Sequence, residues 1–255
     1  MTYCLGIITD YGLVMAADSR TNAGVDYIST YRKLFEFSNP GERVILLCTA
    51  GNLSVTQSVI TEIEKDLKVQ EEINLYTLPS MYEVARYIGE KLRRIKNIDE
   101  QELQKDGIDA QCSLILGGQI RGHEPALFLI YSQGNFIHAT QDTPFLQIGE
   151  TKYGKPILDR TLTCNTPLES AAKCALLSID STMKSNISVG PPIDLMMYEK
   201  DSFEIQHRLR LRLGDSYLAK IRKLWEESLK HAFNYIPNID WQHRDDASSE
   251  DILID

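Results

Sequence analysis

The sequence predicts an α+β chain in which two antiparallel β-sheets stack face to face with helices outside them. Three observations lead there. Short apolar segments joined by turn clusters occur in groups, helical periodicity occurs in blocks, and the one adjacent glycine pair, Gly117-Gly118, fits neither dinucleotide nor P-loop spacing. A doubly wound nucleotide fold would alternate strand with helix and carry a glycine-rich phosphate turn.

Tyr3–Thr9 and Gly12–Ala17 read as a hairpin around Asp10-Tyr11-Gly12. Lys33–Phe37 and Arg43–Thr49 form a second pair around Asn39-Pro40-Gly41. The period then changes. Val59, Ile60, Ile63 and Leu67 share one helical face, so a helix follows Gly51. A second helix opens on the capping box Ser80-Met81-Tyr82-Glu83 and continues through Val84, Ile88, Leu92 and Ile95. Strands return at Ala110–Leu116, Pro125–Tyr131 and Phe136–Thr140, the last two joined by Gln133-Gly134-Asn135.

A helix is expected over Lys152–Leu162. Another is expected from Thr166 as N-cap, with Pro167 in the first helical position and Glu169 closing the box. Its apolar face is Leu168, Ala172, Ala175, Leu176, Ile179 and Met183. Strands at Ile193–Glu199 and Phe203–Leu213 follow, and Ser216–Asn234 closes the chain as a helix. In Phe203–Leu213, leucines 209, 211 and 213 alternate with arginines 208, 210 and 212, so one face needs solvent or acidic partners.

The 255 residues are 43% hydrophobic and 25% charged, as in ordinary globular chains. The longest apolar run, Ala126–Tyr131, is far short of the ~20 residues of a membrane helix. The N-terminus lacks a basic start and meets Asp10, unlike a secretory signal. A net charge of −9 argues against a nucleic-acid surface. Residues 240–255 hold six acids and one base, so this segment carries −5 and the rest −4. One domain over residues 1–237 and an acidic tail over 238–255 are expected. Five cysteines in apolar settings, without CxxC spacing, read as reduced core residues of a cytoplasmic protein, not as a zinc site.

No GxSxG elbow or HExxH motif occurs, and the five histidines are scattered. What remains is the front end. Thr2 follows Met1, and a small second residue permits Met removal. The residue would then carry a free α-amine of pKa about 7.7–8.0 beside its own hydroxyl, a base and a nucleophile in one residue. Asp18 ends the second strand and Lys33 begins the third. A buried pair of these beside Thr2 would place fixed positive charge near the hydroxyl. Gly51, where strand meets helix, could offer its N–H to an oxyanion. Each feature alone also fits an ordinary strand start, turn or solvated lysine.

Taken together, Thr2, the run Ala16-Ala17-Asp18-Ser19-Arg20-Thr21-Asn22-Ala23-Gly24, Lys33, and Thr49-Ala50-Gly51 resemble the catalytic β-type subunits of proteasomes and bacterial proteasome-like peptidases. The resemblance is strong over residues 2–51, and weaker to about residue 215. Within that family the chain looks most similar to the bacterial ancestral-β-subunit branch, Anbu.

The resemblance implies the four-layer αββα sandwich of N-terminal nucleophile hydrolases. It implies Thr2 as nucleophile with its amine as base, Asp18 and Lys33 tuning it, and the Gly51 N–H holding the oxyanion. Asn22 and Thr49 match positions lining the substrate cleft; Arg20 and Ser188–Gly190 match positions around the centre, with Ser188 counted among the catalytic set and Arg20 and Glu150 among the substrate contacts. Two departures stand out. Ser185 replaces the family's Asp three residues before Ser188, and Glu150 follows Ile148-Gly149 where the family has Ser. A carboxylate there is expected to affect basicity and substrate charge preference. The resemblance further implies a homo-oligomeric ring or open spiral acting on peptides or unfolded protein. It calls for no metal, cofactor, nucleic acid or membrane, and leaves an ATPase partner open. A peptide-binding scaffold with little catalysis, or an amidase or transpeptidase on small peptides, would use the same residues.

Overall fold

The computed structural model describes residues 2–22, 28–239 and 241. The first sheet is built from β1 (Tyr3–Thr9), β2 (Gly12–Asp18), β10 (Phe145–Gly149), β11 (Ile193–Glu199) and β12 (His207–Leu211), in the order β10-β1-β2-β11-β12. The second holds β5 (Leu34–Glu36), β6 (Arg43–Gly51), β7 (Cys112–Ile120), β8 (Ala126–Ile130) and β9 (Phe136–His138), in sequence order. All pairings are antiparallel. A short ribbon of β3 (Arg20–Asn22) and β4 (Ile28–Thr30) stands apart.

Strand alternation builds the layers. On β1, Tyr3, Leu5 and Ile7 pack with Leu158, Ala171, Ala175 and Ile179 of α3 (Thr151–Thr161) and α4 (Leu168–Ser185). Cys4 faces the other way, into a core shared by both sheets with Met15, Ala17, Leu46, Cys48 and Ile115. On β6, Ile45 and Leu47 meet Val59, Ile63, Val84 and Ile88 of α1 (Leu53–Val69) and α2 (Met81–Lys105). Three apolar layers separate four structural ones, so the αββα sandwich is the fold. Each fully buried Leu or Ile on these faces contributes about 1.5–3 kcal/mol relative to exposure.

Several element boundaries differ from the sequence expectation. β10 lies outside the strands that the sequence pattern predicts; it is five residues long and follows Pro144. The strand expected over Phe203–Leu213 is confined to β12, because Asp201 and Phe203 adopt φ of +64° and +51° and interrupt extended backbone. The arginines of β12 do find acids: Arg208 pairs with Glu36 and Arg210 with Asp194. Helix α4 begins after Pro167; the Thr166 hydroxyl accepts the Thr163 amide at 2.9 Å and does not cap the helix.

Helix α5 (Ser216–Tyr235) is capped by Asp215, whose Oδ1 accepts the Tyr217 and Leu218 amides. Every residue from Glu227 to Ile239 is exposed, including Leu229, Phe233, Tyr235 and Ile236. Of the expected tail over 238–255, only 238, 239 and 241 are among the described residues. No helix among those residues is long and apolar enough to cross a membrane.

Candidate active site

Thr2 immediately precedes β1, and three contacts fix its surroundings. The Tyr3 amide donates to Asp18 Oδ1 at 3.0 Å. The Thr2 carbonyl accepts the Glu150 amide at 2.8 Å. Two residues on, Cys4 Sγ donates to the Thr49 carbonyl at 3.6 Å. The start of β1 is therefore held between β2 on one side and the end of β10 on the other, above the end of β6. Because Cys4 faces the core between the sheets, strand alternation puts Thr2 on that same face, at the open end of the sandwich.

Asp18 is wholly buried and Lys33 is 4% exposed. Lys33 Nζ donates to Asp18 Oδ1 at 2.8 Å and to the Arg20 carbonyl at 2.6 Å. Asp18 Oδ2 accepts the Arg20 and Gly190 amides, each at 3.2 Å. The carboxylate thus receives four donors, the arrangement a buried charge requires. Burial raises its pKa above the ordinary aspartate value, opposed by the Lys33 ammonium and by the Tyr3 and Gly190 amides.

Tyr3 anchors this end of the strand. Its hydroxyl lies 2.6 Å from Ser178 Oγ on α4 and accepts from Gln147 Nε2 of β10. Burial pushes the phenol pKa up to about 12, so it stays protonated. With Tyr3 fixed through side chain and amide, its peptide to Thr2 is fixed too.

Gly51 ends β6 at φ +105°, and a Cβ there would lie 2.3 Å from the Gln111 carbonyl oxygen. Its amide direction follows from the ladder. Thr49 N donates to the Lys33 carbonyl at 2.9 Å, and alternate amides of a strand point to the same edge. The Gly51 N–H therefore points to the edge where β5 has ended, on the Lys33 side. Helix α1 starts directly after it, capped by Asn52 Oδ1, so its N-terminal dipole faces the same region.

Thr49 lines a cavity of about 420 Å³ with Tyr31, Arg32, Leu53, Gln57 and Ile60. Arg32 is held at its rim by a 2.6 Å bond from Nε to the Leu34 carbonyl. A larger cavity of about 500 Å³ lies at the far end of β1, around Thr9, Asp10, His138 and Cys164, away from these groups.

Ser188 lies in the loop after α4, its amide donating to Asn186 Oδ1 at 2.9 Å. The loop joins the centre through the Gly190 amide on Asp18 and the Gly190 carbonyl on the Arg20 amide. The Arg20 guanidinium donates to the Ile187 carbonyl at 2.7 Å and lies against Gly190, where a Cβ would come 2.4 Å from Cζ. That side chain clamps the loop. Asn22 ends β3, paired with Ile28. Glu150 is the N-cap residue of α3.

Thr2, Asp18, Lys33 and Glu150 are thus gathered at one point, with Thr49 and Gly51 along the adjoining strand. The groups that sequence reasoning missed are mostly backbone amides, those of Tyr3 and Gly190, with the Tyr3 hydroxyl and the Cys4 thiol. The arrangement brings a buried cation to the peptide adjoining Thr2, directs an amide at the edge beside it, and sets a side-chain cavity along β6. Such a set can form and stabilise a tetrahedral oxyanion.

The proteasome subunit family model matches residues 2–197. Among solved structures, Anbu (ancestral β-subunit) from Yersinia bercovieri is 48% identical at a TM-score of 0.89, over 94% of this chain and all of that one. The Anbu complex of Pseudomonas aeruginosa, described as a helical assembly, is 46% identical with a TM-score of 0.89, over 94% of this chain and 99% of that one. An Anbu (Gly-1) mutant from Hyphomicrobium sp. strain MC1 is 46% identical with a TM-score of 0.87, over 94% and 100%. No curated protein sequence matches the chain.

Proposed function

Since the chain belongs to the proteasome subunit family, in its Anbu branch, we propose that it is a threonine peptidase that acts through Thr2 after Met1 is removed. The observation that carries this reading is the shared oxygen of Asp18. It accepts both the Tyr3 amide and the Lys33 ammonium, which brings a buried cation to the peptide adjoining Thr2.

In this reading the Thr2 hydroxyl attacks the substrate carbonyl while the α-amine, through a water, takes its proton. The Lys33 charge lowers the cost of alkoxide character, and the Gly51 N–H donates to the developing oxyanion. The C–N bond breaks and the leaving amine takes the proton, leaving an ester on Thr2. Water then attacks the ester, its proton returning through the amine, and releases the acid. Thr49 and its cavity receive the side chain preceding the scissile bond, and the β3 backbone at Asn22 pairs with an extended peptide. Asp18 holds Lys33; Arg20 and the loop bearing Ser188 hold Asp18.

We further assign the working form to a homo-oligomer, in a reducing, cytoplasmic setting. The exposed apolar residues of α5 and beyond, Leu229, Phe233, Tyr235 and Ile236, form a surface of the kind that partners cover. The helical assembly of the Pseudomonas relative points the same way.

The test is the N-terminal mass of protein purified without a tag at that end, followed by hydrolysis of a peptide library. Mature chain beginning at Thr2, with turnover abolished by Thr2→Ala, is expected. Retained Met1 in turning-over protein, or full activity of Thr2→Ala, rules the mechanism out.

A further inference from the structure

Thr2 lies between two acidic residues that are held in different ways. On the β2 side, Asp18 receives Lys33 and the amides of Tyr3, Arg20 and Gly190. On the β10 side, Glu150 is fixed through its backbone, by the 2.8 Å bond from its amide to the Thr2 carbonyl. That bond extends the β1–β10 ladder one step past its last pair, Tyr3 with Gly149. Thr2 and Glu150 are therefore neighbours across the two strands, joined backbone to backbone. Two residues further in, Cys4 and Ile148 are paired and buried between the sheets. Gly149 permits the close approach: at φ +84° it leaves the Thr2 oxygen 1.9 Å from where a Cβ would stand.

The Glu150 carboxylate is not used to build its own helix. Although Glu150 occupies the N-cap of α3, its side chain makes no capping bond. The nearby lysines of α3 are engaged elsewhere, Lys152 over the Tyr153 ring and Lys155 with Asp159. Lys33 is committed to Asp18. Glu150 is thus a half-buried acidic residue bonded to Thr2 through its backbone, its carboxylate not used to cap the helix.

Which half of a substrate it meets follows from the layout. The groups that would receive the acyl half, Lys33, Thr49, Gly51 and the cavity with Tyr31 and Arg32, all lie on the β2 and β6 side of Thr2. The leaving half must then extend towards β10. Resting on the reading of Thr2 as nucleophile, we propose that Glu150 selects substrates with a lysine or arginine immediately after the scissile bond. The cationic side chain or its N–H donors reach the carboxylate as the acyl half sits on β6.

Matched quenched-fluorescence peptides that differ only after the scissile bond, carrying Lys, Gln or Asp, test this on the mature, assembled protein. The Lys peptide should exceed the Asp peptide in kcat/KM by about tenfold, the effect of one charge-assisted hydrogen bond. In Glu150→Gln the ratio should fall to within about twofold, and Glu150→Lys should reverse it. Size and thermal unfolding of each variant establish that it is folded and assembled. A ratio near one in the wild type, or one unchanged in folded Glu150→Gln, overturns the inference while cleavage of the Gln peptide leaves Thr2 standing. If no peptide is cleaved by mature protein, or Thr2→Ala cleaves equally, the reading of Thr2 fails and this inference with it.

Discussion

Lys33 and Asp18 form a buried ion pair, 2.8 Å from Nζ to Oδ1, with side chains 5% and 0% exposed. Removing one partner of such a pair costs about 3–5 kcal/mol when the other stays charged. Asp18 keeps three backbone donors and can take up a proton, so Lys33→Met should fall at or below the lower end of that range. Catalysis has no such fallback. With the cation gone, turnover should drop by at least about 10²-fold, as for other transition-state charge stabilisers. Urea unfolding and peptide hydrolysis on the same preparation measure both; a stable variant with wild-type turnover contradicts the role given to Lys33.

The raised pKa of Asp18 separates the pH dependence of activity from that of stability. Its folded value lies above the unfolded one, so the native state binds the proton more tightly. The stability it contributes is complete below the ordinary aspartate value of 3.8 and is lost as pH rises through the folded value. Acidification through that window therefore does not unfold the protein by way of this group. It neutralises Asp18 and loosens Lys33. Activity should fall with acidification, starting above the ordinary aspartate range, while circular dichroism stays native. Simultaneous loss of both signals would place the acid limb elsewhere.

Gly51→Ala should be severe. The residue sits at φ +105°, where an L side chain is strained by about 1–3 kcal/mol, and its Cβ would meet the Gln111 carbonyl at 2.3 Å. Relief requires β6 and β7 to separate at their last pair, Gly51 with Cys112, and that turns the Gly51 amide away from the cleft. Turnover should fall more than the thermal midpoint does. A variant that loses stability but keeps kcat would show that this amide does not meet the oxyanion.

How much of this was legible follows from what each group leaves in a sequence. The β1–β2 hairpin shows as two apolar runs around a glycine turn, and α1 and α2 show as helical periodicity. The proposed catalytic set shows as four blocks in order, around Thr2, Asp18, Lys33 and Gly51. Strand β10 is too short for a periodic signal, yet it places Glu150 against Thr2. The amides of Tyr3 and Gly190 hold Asp18, and every residue but proline has one, so no side-chain pattern marks them. The turn of the Arg20 guanidinium towards Ile187 depends on Gly190 lacking a side chain, a contact 170 residues away in the chain.

Tyr3→Phe isolates the anchoring of the strand. It removes the hydroxyl between Ser178 and Gln147, and leaves polar groups at a buried site without that partner. A cost of about 1–3 kcal/mol is expected. The amide that bonds Asp18 is untouched, so turnover at a temperature well below the transition should remain close to wild type. Denaturant unfolding with parallel assays distinguishes this from a hydroxyl that takes part in the chemistry, for which turnover would fall at unchanged stability.

Thr49→Met probes the cavity beside the proposed nucleophile. On β6 the odd-numbered residues Ile45 and Leu47 face the helices, so Thr49, on the same face, projects into the cavity of about 420 Å³ against Leu53 and Gln57. A longer side chain there fills space without touching the Asp18–Lys33 pair, which bonds through other atoms. Peptides with a large residue before the scissile bond should lose kcat/KM, chiefly through KM, by about tenfold, the effect of about 1.4 kcal/mol of lost contact. Those with alanine or glycine there should be cleaved as before, or better. An equal fall in kcat for every peptide would mean that Thr49 supports the chemistry, because a pocket wall cannot distinguish substrates that never reach it.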